Sequence, residues 1–349
     1  MVFINRNSEK KNTSGKRRTL LLVLTIVIAI AITLSLSTLY KFIFKPNIKT
    51  PDKGCFSLFI PTGADFEAVK DSLYSNEVII NRNSFELTAK IIGYNNIYPG
   101  HYLLKDGMNN IQLINMLRKG FQTPVKVVFN NIKNLEQLAG RVSDQIEADS
   151  LSITTAIRND SSICPCYFIP NTYEFYWNTD AESFIKKMKA EYENFWNETR
   201  IAKAEEMNLK PEEVSILASI VDKETTKTSE MPRIAGVYLN RLKKHWPLQA
   251  DPTLIYALGD YSIHRVLDVH KEIDSPYNTY KHAGLPPGPI CLPSIAAIDA
   301  VLNAERHKYF YFCAKDDLSG YHVFARNINE HNRNAEKYRR ALNKHKIYK

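Results

Sequence analysis

Most of this chain lacks net charge. Residues 1–18 carry +5 and residues 41–53 carry +3 of a total of +9, so residues 54–349 hold only +1. A basic face for nucleic acid belongs in the folded part of a protein, so no nucleic-acid partner is expected. Cysteine is scarce as well: five in 349 residues, an odd number with no zinc-type spacing. That excludes a disulfide-dense scaffold. Cys164-Pro165-Cys166 is too tight for a redox or metal motif. Small buried or unpaired thiols are the plain reading, and a single disulfide stays open because the body is expected outside the reducing cytosol. Internal repeats, nucleotide loops, flavin motifs and metal clusters are missing too, so neither cofactor nor metal is expected.

What is present begins with Thr19–Tyr40, an uncharged run rich in Leu, Ile, Val and Ala. At about 1.5 Å per residue it can cross a hydrocarbon core of about 30 Å. Arg6, Lys10, Lys11, Lys16, Arg17 and Arg18 precede it, and such clusters stay cytoplasmic. The body is then expected on the outer side of a bacterial inner membrane. A cleaved signal peptide is the competing reading. Its apolar region would be shorter, and Ala29-Ile30-Ala31 falls too early in the run to be a cleavage site.

The expected organisation is α+β throughout the ectodomain. Residues 1–18 form a cytoplasmic tail, 19–40 a membrane helix, 41–54 a linker, 55–122 a small α+β module, and 123–349 a larger α+β domain. In the module, Phe56–Ile60 reads as a strand. Asp65 reads as a helix cap before Phe66, Val69 and Leu73 at helical spacing. Tyr98–Leu104 reads as a turn entering a strand, and Met108–Arg118 as a helix closed by Gly120. Downstream, Val125–Phe129 and Tyr309–Cys313 read as strands. Leu135–Ile146, Ala181–Asn197, Val214–Thr225 and Met231–Lys244 read as helices.

Pro211–Thr225 carries the most chemical information. Pro211 suits a first helical position, and Glu212 and Glu213 favour its positive end. At about 100° per residue, Val214, Leu217, Ile220 and Val221 share one face, and Glu224 falls within it. Asp222 and Lys223 point with Ser215 and Ser219 to the other side. A carboxylate on an apolar face is costly unless it is paired or its pKa rises. A raised pKa suits a general acid. A half-exposed Glu bridged to Lys or Arg is the alternative that periodicity leaves open.

Leu217–Thr225 also resembles the signature helix of the endolytic murein transglycosylases, the YceG-like or MltG family. The likeness continues through Val237–Leu242, Leu248–Gly259, Ser275–Tyr280, Gly284–Ile290, His322–Phe324 and Glu330–Asn332. Upstream, Phe168–Tyr173 and Tyr98–Tyr102 are similar to the family's Pro-Asp-Thr-Tyr segment and to the turn of its LysM-like module. Asn171 and Asp222 depart from the family's usual Asp and Glu.

The resemblance implies cleavage of the β-1,4 bond between N-acetylmuramic acid and N-acetylglucosamine, leaving 1,6-anhydro ends. It implies Glu224 as acid and then base, peptidoglycan strands as substrate, and peptidoglycan synthases as partners. Gln249, Asp251, Tyr277, Asn278, Thr279 and Tyr280 are the candidate sugar-binding residues. Core packing competes for the tyrosines, and helix capping before Pro252 competes for Asp251. Gly284–Pro289 is expected to wall the cleft. His331 and Asn332 either reach the site or cap the last helix. The LysM-like module either binds glycan or acts as a spacer. Two other functions stay open: a non-catalytic wall-binding protein using the same cleft, and a pyridoxal-phosphate lyase of folate biosynthesis.

Overall fold

The apolar run lies inside one continuous helix, α1 (Ser8–Phe44), in the computed structural model, which describes residues 8–51, 54–161, 163–263 and 265–345. Lys16–Phe44 is long and apolar enough to cross a membrane, and its apolar window is not buried in the protein. Residues 1–7 of the basic tail, and Asp52 and Lys53 of the expected linker, lie outside the described residues. The chain divides into two units, Met1–Pro124 with Tyr176–Asn178, and Val125–Phe175 with Thr179–Lys349.

In the first unit β1 (Cys55–Ile60) pairs antiparallel with β2 (Gly100–Lys105), placing Leu58 opposite Tyr102. Three helices complete it: α2 (Phe66–Ser75), α3 (Arg82–Ile92) and α4 (Asn110–Arg118). Each has an Asx cap. Asp65, Asn81 and Asn109 accept from the backbone N–H groups of Ala68, Ser84 and Gln112. Leu58, Leu73, Phe85, Tyr102, Leu113 and Leu117 fill the core.

The expected linker is not a free tether. Residues 46–50 hydrogen-bond into this unit: Asn47 and Ile48 N–H groups donate to Met108 O, and Lys49 N–H donates to Val78 O. Asn47 is buried, giving Nδ2–H bonds to Asn110 Oδ1 (2.7 Å) and Asn81 O (3.0 Å), while its Oδ1 accepts from Asn81 N (2.7 Å). Ser84 Oγ donates to Phe42 O in the last turn of α1 (2.5 Å). Proline and polar residues suggest a linker by composition. Here the polar groups satisfy one another inside the unit.

The second unit opens with β3 (Val125–Phe129), paired antiparallel with β4 (Asn171–Phe175). α5 (Leu135–Ser143), α6 (Ser150–Asn159) and α7 (Ala181–Phe195) pack a core of Phe129, Leu138, Ile153 and Phe184. Cys164 and Cys166 are joined as the single disulfide that the sequence left open, and Cys55, Cys291 and Cys313 are free thiols. Their Cα atoms stand 5.1 Å apart across Pro165, within the span a disulfide bridges.

The remaining chain builds around one helix. α8 (Glu198–Glu206), α10 (Met231–Lys243), α11 (Asp251–Leu258) and α12 (Ile295–Leu302) surround α9 (Pro211–Glu224). β5 (Tyr311–Ala314) and β6 (His322–Ala325) form a hairpin, and α13 (Ile328–Lys344) closes the chain. α9 is not one-sided as its periodicity suggests. Ser215 and Ser219 are as buried as Leu217. Ser219 Oγ donates to Ile216 O and accepts from Ile290 N, so small hydroxyls satisfy themselves on the face read as polar. β5 starts two residues later than expected. Asn240 Nδ2 donates to the carbonyls of His307 and Tyr309, holding them out of the ladder.

Gly236 lets this last segment approach α10. A Cβ there would meet Glu305 O at 2.4 Å and His307 Nε2 at 2.7 Å. Ala normally favours a helix interior over Gly by about 1 kcal/mol. Gly236→Ala is instead expected to destabilise by about 1–3 kcal/mol, because backbone must move. Denaturant titration checks the sign, and a stabilised variant would refute the close approach.

Candidate active site

Glu224 is the last residue of α9. The helix stops there because Thr225 is extended (φ −149°, ψ 144°). Behind Glu224 the helix is fully packed: Val214, Leu217, Ile220 and Val221 have no exposed surface. The carboxyl group therefore faces one opening, a cavity of about 420 Å³ that it lines with Tyr238, Arg241, Gln249, Asp251, Tyr280 and the β5–β6 hairpin.

Tyr238, one of the largest fully buried side chains, donates its hydroxyl to Glu224 Oε1 at 2.5 Å. Burial pushes the Glu224 carboxyl up to about 7. The Tyr238 bond and the positive Arg241 favour the ionised form, and the negative Asp251 opposes it. Burial wins because a carboxylate loses more hydration than one phenol returns. Burial and the facing carboxylate also push the Tyr238 phenol well above its ordinary value, so it stays a donor.

Arg241 is one turn beyond Tyr238 on α10. Its Nε donates to Phe310 O (2.7 Å) and its Nη1 to Leu248 O (2.5 Å), with the guanidinium over the Tyr311 ring. It thus ties α10 to the chain entering α11 and to the start of the hairpin. Between buried Leu248 and Ala250, Gln249 adopts a left-handed backbone (φ 50°) and stays exposed at the cavity. Left-handed geometry costs a non-glycine residue roughly 1 kcal/mol, and the Gln249 N–H bond to Thr279 O helps hold it.

A second tyrosine–carboxylate pair lies in the same cavity. Tyr280 donates its hydroxyl to Asp251 Oδ1 at 2.5 Å. Asp251 is the first residue of α11 and caps nothing; the cap position is Ala250. The capping alternative is therefore replaced by this bond. Burial, then the Asp251 bond, raises the Tyr280 phenol above its ordinary range.

The other expected binders lie elsewhere. Asn278 is wholly buried and donates to the carbonyls of Lys271 and Ile273. Thr279 Oγ1 accepts from Ala250 N and shares a bond with Thr253 Oγ1. Tyr277 packs on Tyr256 at 4.7 Å, with its hydroxyl against Gly288. These three shape the loop that presents Tyr280, and none of them lines the cavity. Gly284–Pro289 does not line it either.

Several lining residues have no local signal. His322 on β6 is held by Glu230, 92 residues away: Glu230 accepts from the His322 backbone N–H (2.9 Å) and from its Nδ1 (3.0 Å). A buried carboxylate thus fixes that ring, and the His322 side chain borders the cavity. His331 stacks on Tyr311 at 5.4 Å, and its Nδ1 is buried with no hydrogen-bond partner among the described residues. The cap of α13 is Asn327, so His331 and Asn332 do not cap it. Tyr238 and Arg241 had a legible hint, since i and i+3 share a helix face. Among the described residues no cluster of His, Cys, Asp and Glu could hold a metal ion.

Tyr238→Phe tests the balance on Glu224. Losing a bond to the ionised form is expected to raise the carboxyl further. The alkaline limb of any Glu224-dependent activity should move up by about one pH unit. An unmoved limb would mean that the phenol does not hold the carboxylate.

The YceG-like family model matches residues 58–337. The endolytic murein transglycosylase of Bacillus subtilis is 30% identical over 323 residues, 85% of this chain and 88% of its own. That of Streptococcus pneumoniae is 28% identical over 319 residues, and the match spans only 57% of its length. A crystal structure of a yceG-like protein from Listeria monocytogenes superposes with a TM-score of 0.52 at 28% identity, covering 81% of this chain and 99% of that one. A half-buried, tyrosine-held glutamate at the end of a packed helix, together with a match over most of the sequence, leaves one assignment: the chain belongs to the YceG-like family.

Proposed function

We propose that this chain is a membrane-anchored lytic murein transglycosylase, with Glu224 as its acid and base. The observation that carries the reading is a carboxyl group raised to about 7 by burial, opening onto a cavity bordered by hydrogen-bonding side chains. Such a group holds its proton near neutral pH and gives it up readily. The relatives named as endolytic murein transglycosylases supply the substrate class.

The reaction needs one proton donor that becomes an acceptor. Glu224 protonates the glycosidic oxygen, and the C1–O bond of the muramic acid breaks. The Glu224 carboxylate then takes the proton of the C6 hydroxyl as that oxygen bonds C1. The product is a 1,6-anhydro end, water is not consumed, and Glu224 is left protonated. Tyr238 orients the carboxylate through the cycle. Gln249, Asp251 and Tyr280 offer polar groups to sugar hydroxyls. His331 Nδ1, without a partner among the described residues, is a further polar group for the substrate to satisfy.

The N-terminus is cytoplasmic and α1 spans the inner membrane, placing the catalytic domain on nascent strands, where cutting ends their elongation beside the synthases. Residues 55–122 serve as the LysM-like module and 123–349 as the catalytic domain.

The test is a digest of purified peptidoglycan by the full chain, wild type and Glu224→Gln, read by mass spectrometry. Anhydro-muramic ends from the wild type alone are the expected result. Reducing ends would make the enzyme a hydrolase and bring Asp251 forward as a second carboxylate. Retained binding without cleavage would leave a wall-binding protein.

A further inference from the structure

We propose that α3 lies in the membrane interface, its Leu87–Ile91 edge seated in the lipid headgroup region beside the anchor. This rests on the reading of α1 as a membrane span and goes beyond it, because it assigns a second lipid contact to the module itself.

The level of α3 follows from the length of the apolar run. Thr19–Tyr40 is 22 residues, or about 33 Å of helix, against a hydrocarbon core of about 30 Å. Phe42, two residues further on, then stands at the headgroups. Ser84 in the first turn of α3 is hydrogen-bonded to the Phe42 carbonyl at 2.5 Å. Ile80, just before α3, donates its N–H to Asn47 O in the same juxtamembrane segment. The start of α3 is therefore fixed at interfacial depth, and headgroups extend roughly 5–8 Å beyond the core.

The side chains agree with that position. Ser84, Phe85, Thr88 and Ala89 form the buried face of α3. At about 100° per residue, Leu87 and Ile91 fall within about 60° of Ser84, on the edge nearest the anchor. They are 39% and 58% exposed, and Ile80 is 62% exposed. Exposed lysines adjoin these positions in the chain: Lys41 precedes Phe42, Lys45 follows the end of α1, and Lys90 precedes Ile91. Apolar residues rimmed by lysines match an anionic bilayer surface. A water-facing edge would leave the apolar side chains without a counterpart.

The test uses the full chain reconstituted in vesicles containing phosphatidylglycerol and lipids brominated near the headgroup or deep in the acyl chain. Single tryptophans are read as excess over the native protein. Ile91→Trp, and independently Ile80→Trp, should emit at shorter wavelength and lose about half of the added fluorescence to shallow bromines, as expected for side chains 5–10 Å into the boundary. Glu86→Trp, on the far side of the same helix, should lose little. Val27→Trp, mid-way along α1, should be quenched by deep bromines.

If Ile91→Trp and Ile80→Trp are quenched no more than Glu86→Trp while Val27→Trp is quenched, the edge faces water and the proposal fails alone. A blue shift without quenching would mean that protein, a second copy or another chain, covers the edge, and would also overturn it. An unquenched Val27→Trp would remove the anchor reading and this proposal together.

Discussion

Glu224→Gln should lose cleavage by at least about 10³-fold, because in the proposed mechanism one carboxyl group performs both proton transfers and each is ordinarily worth 10²–10⁴. The same substitution should stabilise the protein, but only at higher pH. A folded-state pKa near 7, against 4.5 for a free glutamate, means that the native state holds this proton more tightly than the unfolded chain. The native protein therefore has its full stability below about pH 4.5 and loses part of it as pH rises through 7. Glutamine cannot ionise and escapes that loss. The expected gain at pH 8 is ~1–3 kcal/mol, after allowing for the partial access of the side chain through the cavity, and near zero at pH 4. Melting curves of both proteins at the two pH values check it. A gain that is equal at both would show that the folded chain binds the Glu224 proton no more tightly than the unfolded chain, and that burial is not what sets its proton affinity.

Arg241→Met should be the most destabilising change at the cavity, by about 2–4 kcal/mol. Methionine keeps much of the volume and removes two donors at once. The carbonyls of Leu248 and Phe310 would then lose their guanidinium partner. Arg241→Lys should rescue little, since a single ammonium cannot reproduce a fork reaching two strands of chain. Chemical denaturation reads the stability. The pH profile supplies a second readout, because removing a positive charge should move the alkaline limb upward. A loss below about 1 kcal/mol would show that water replaces the guanidinium at both carbonyls.

The features legible in the sequence were the local ones. The placement of Glu224 beside Leu217, Ile220 and Val221 follows from residues three, four and seven apart, although α9 proved buried on its other side too, and the Asp65 cap follows from its place before Phe66. The apolar length of α1 needs no tertiary knowledge. What sequence could not supply are pairings across long separations. Glu230 with His322 and Asn240 with Tyr309 depend on how α10 and the hairpin pack. Loop residues were legible by region and not by role. Tyr277, Asn278, Thr279 and Tyr280 are consecutive, yet only Tyr280 lines the cavity, because Asn278 and Thr279 spend their polar groups on the backbone of Lys271, Ala250 and Tyr280. Composition misled at residues 46–50, where a buried asparagine has the same letters as a solvated linker.

The bond between Ser84 and Phe42, with the buried Asn47 network, has a mechanical consequence. A helix longer than the local bilayer core tilts to bury its apolar length. A flexible tether would absorb that rotation. In the membrane-anchored arrangement proposed above, a module bolted to the helix end turns by the same angle, so bilayer thickness becomes a setting for the direction in which the first unit points.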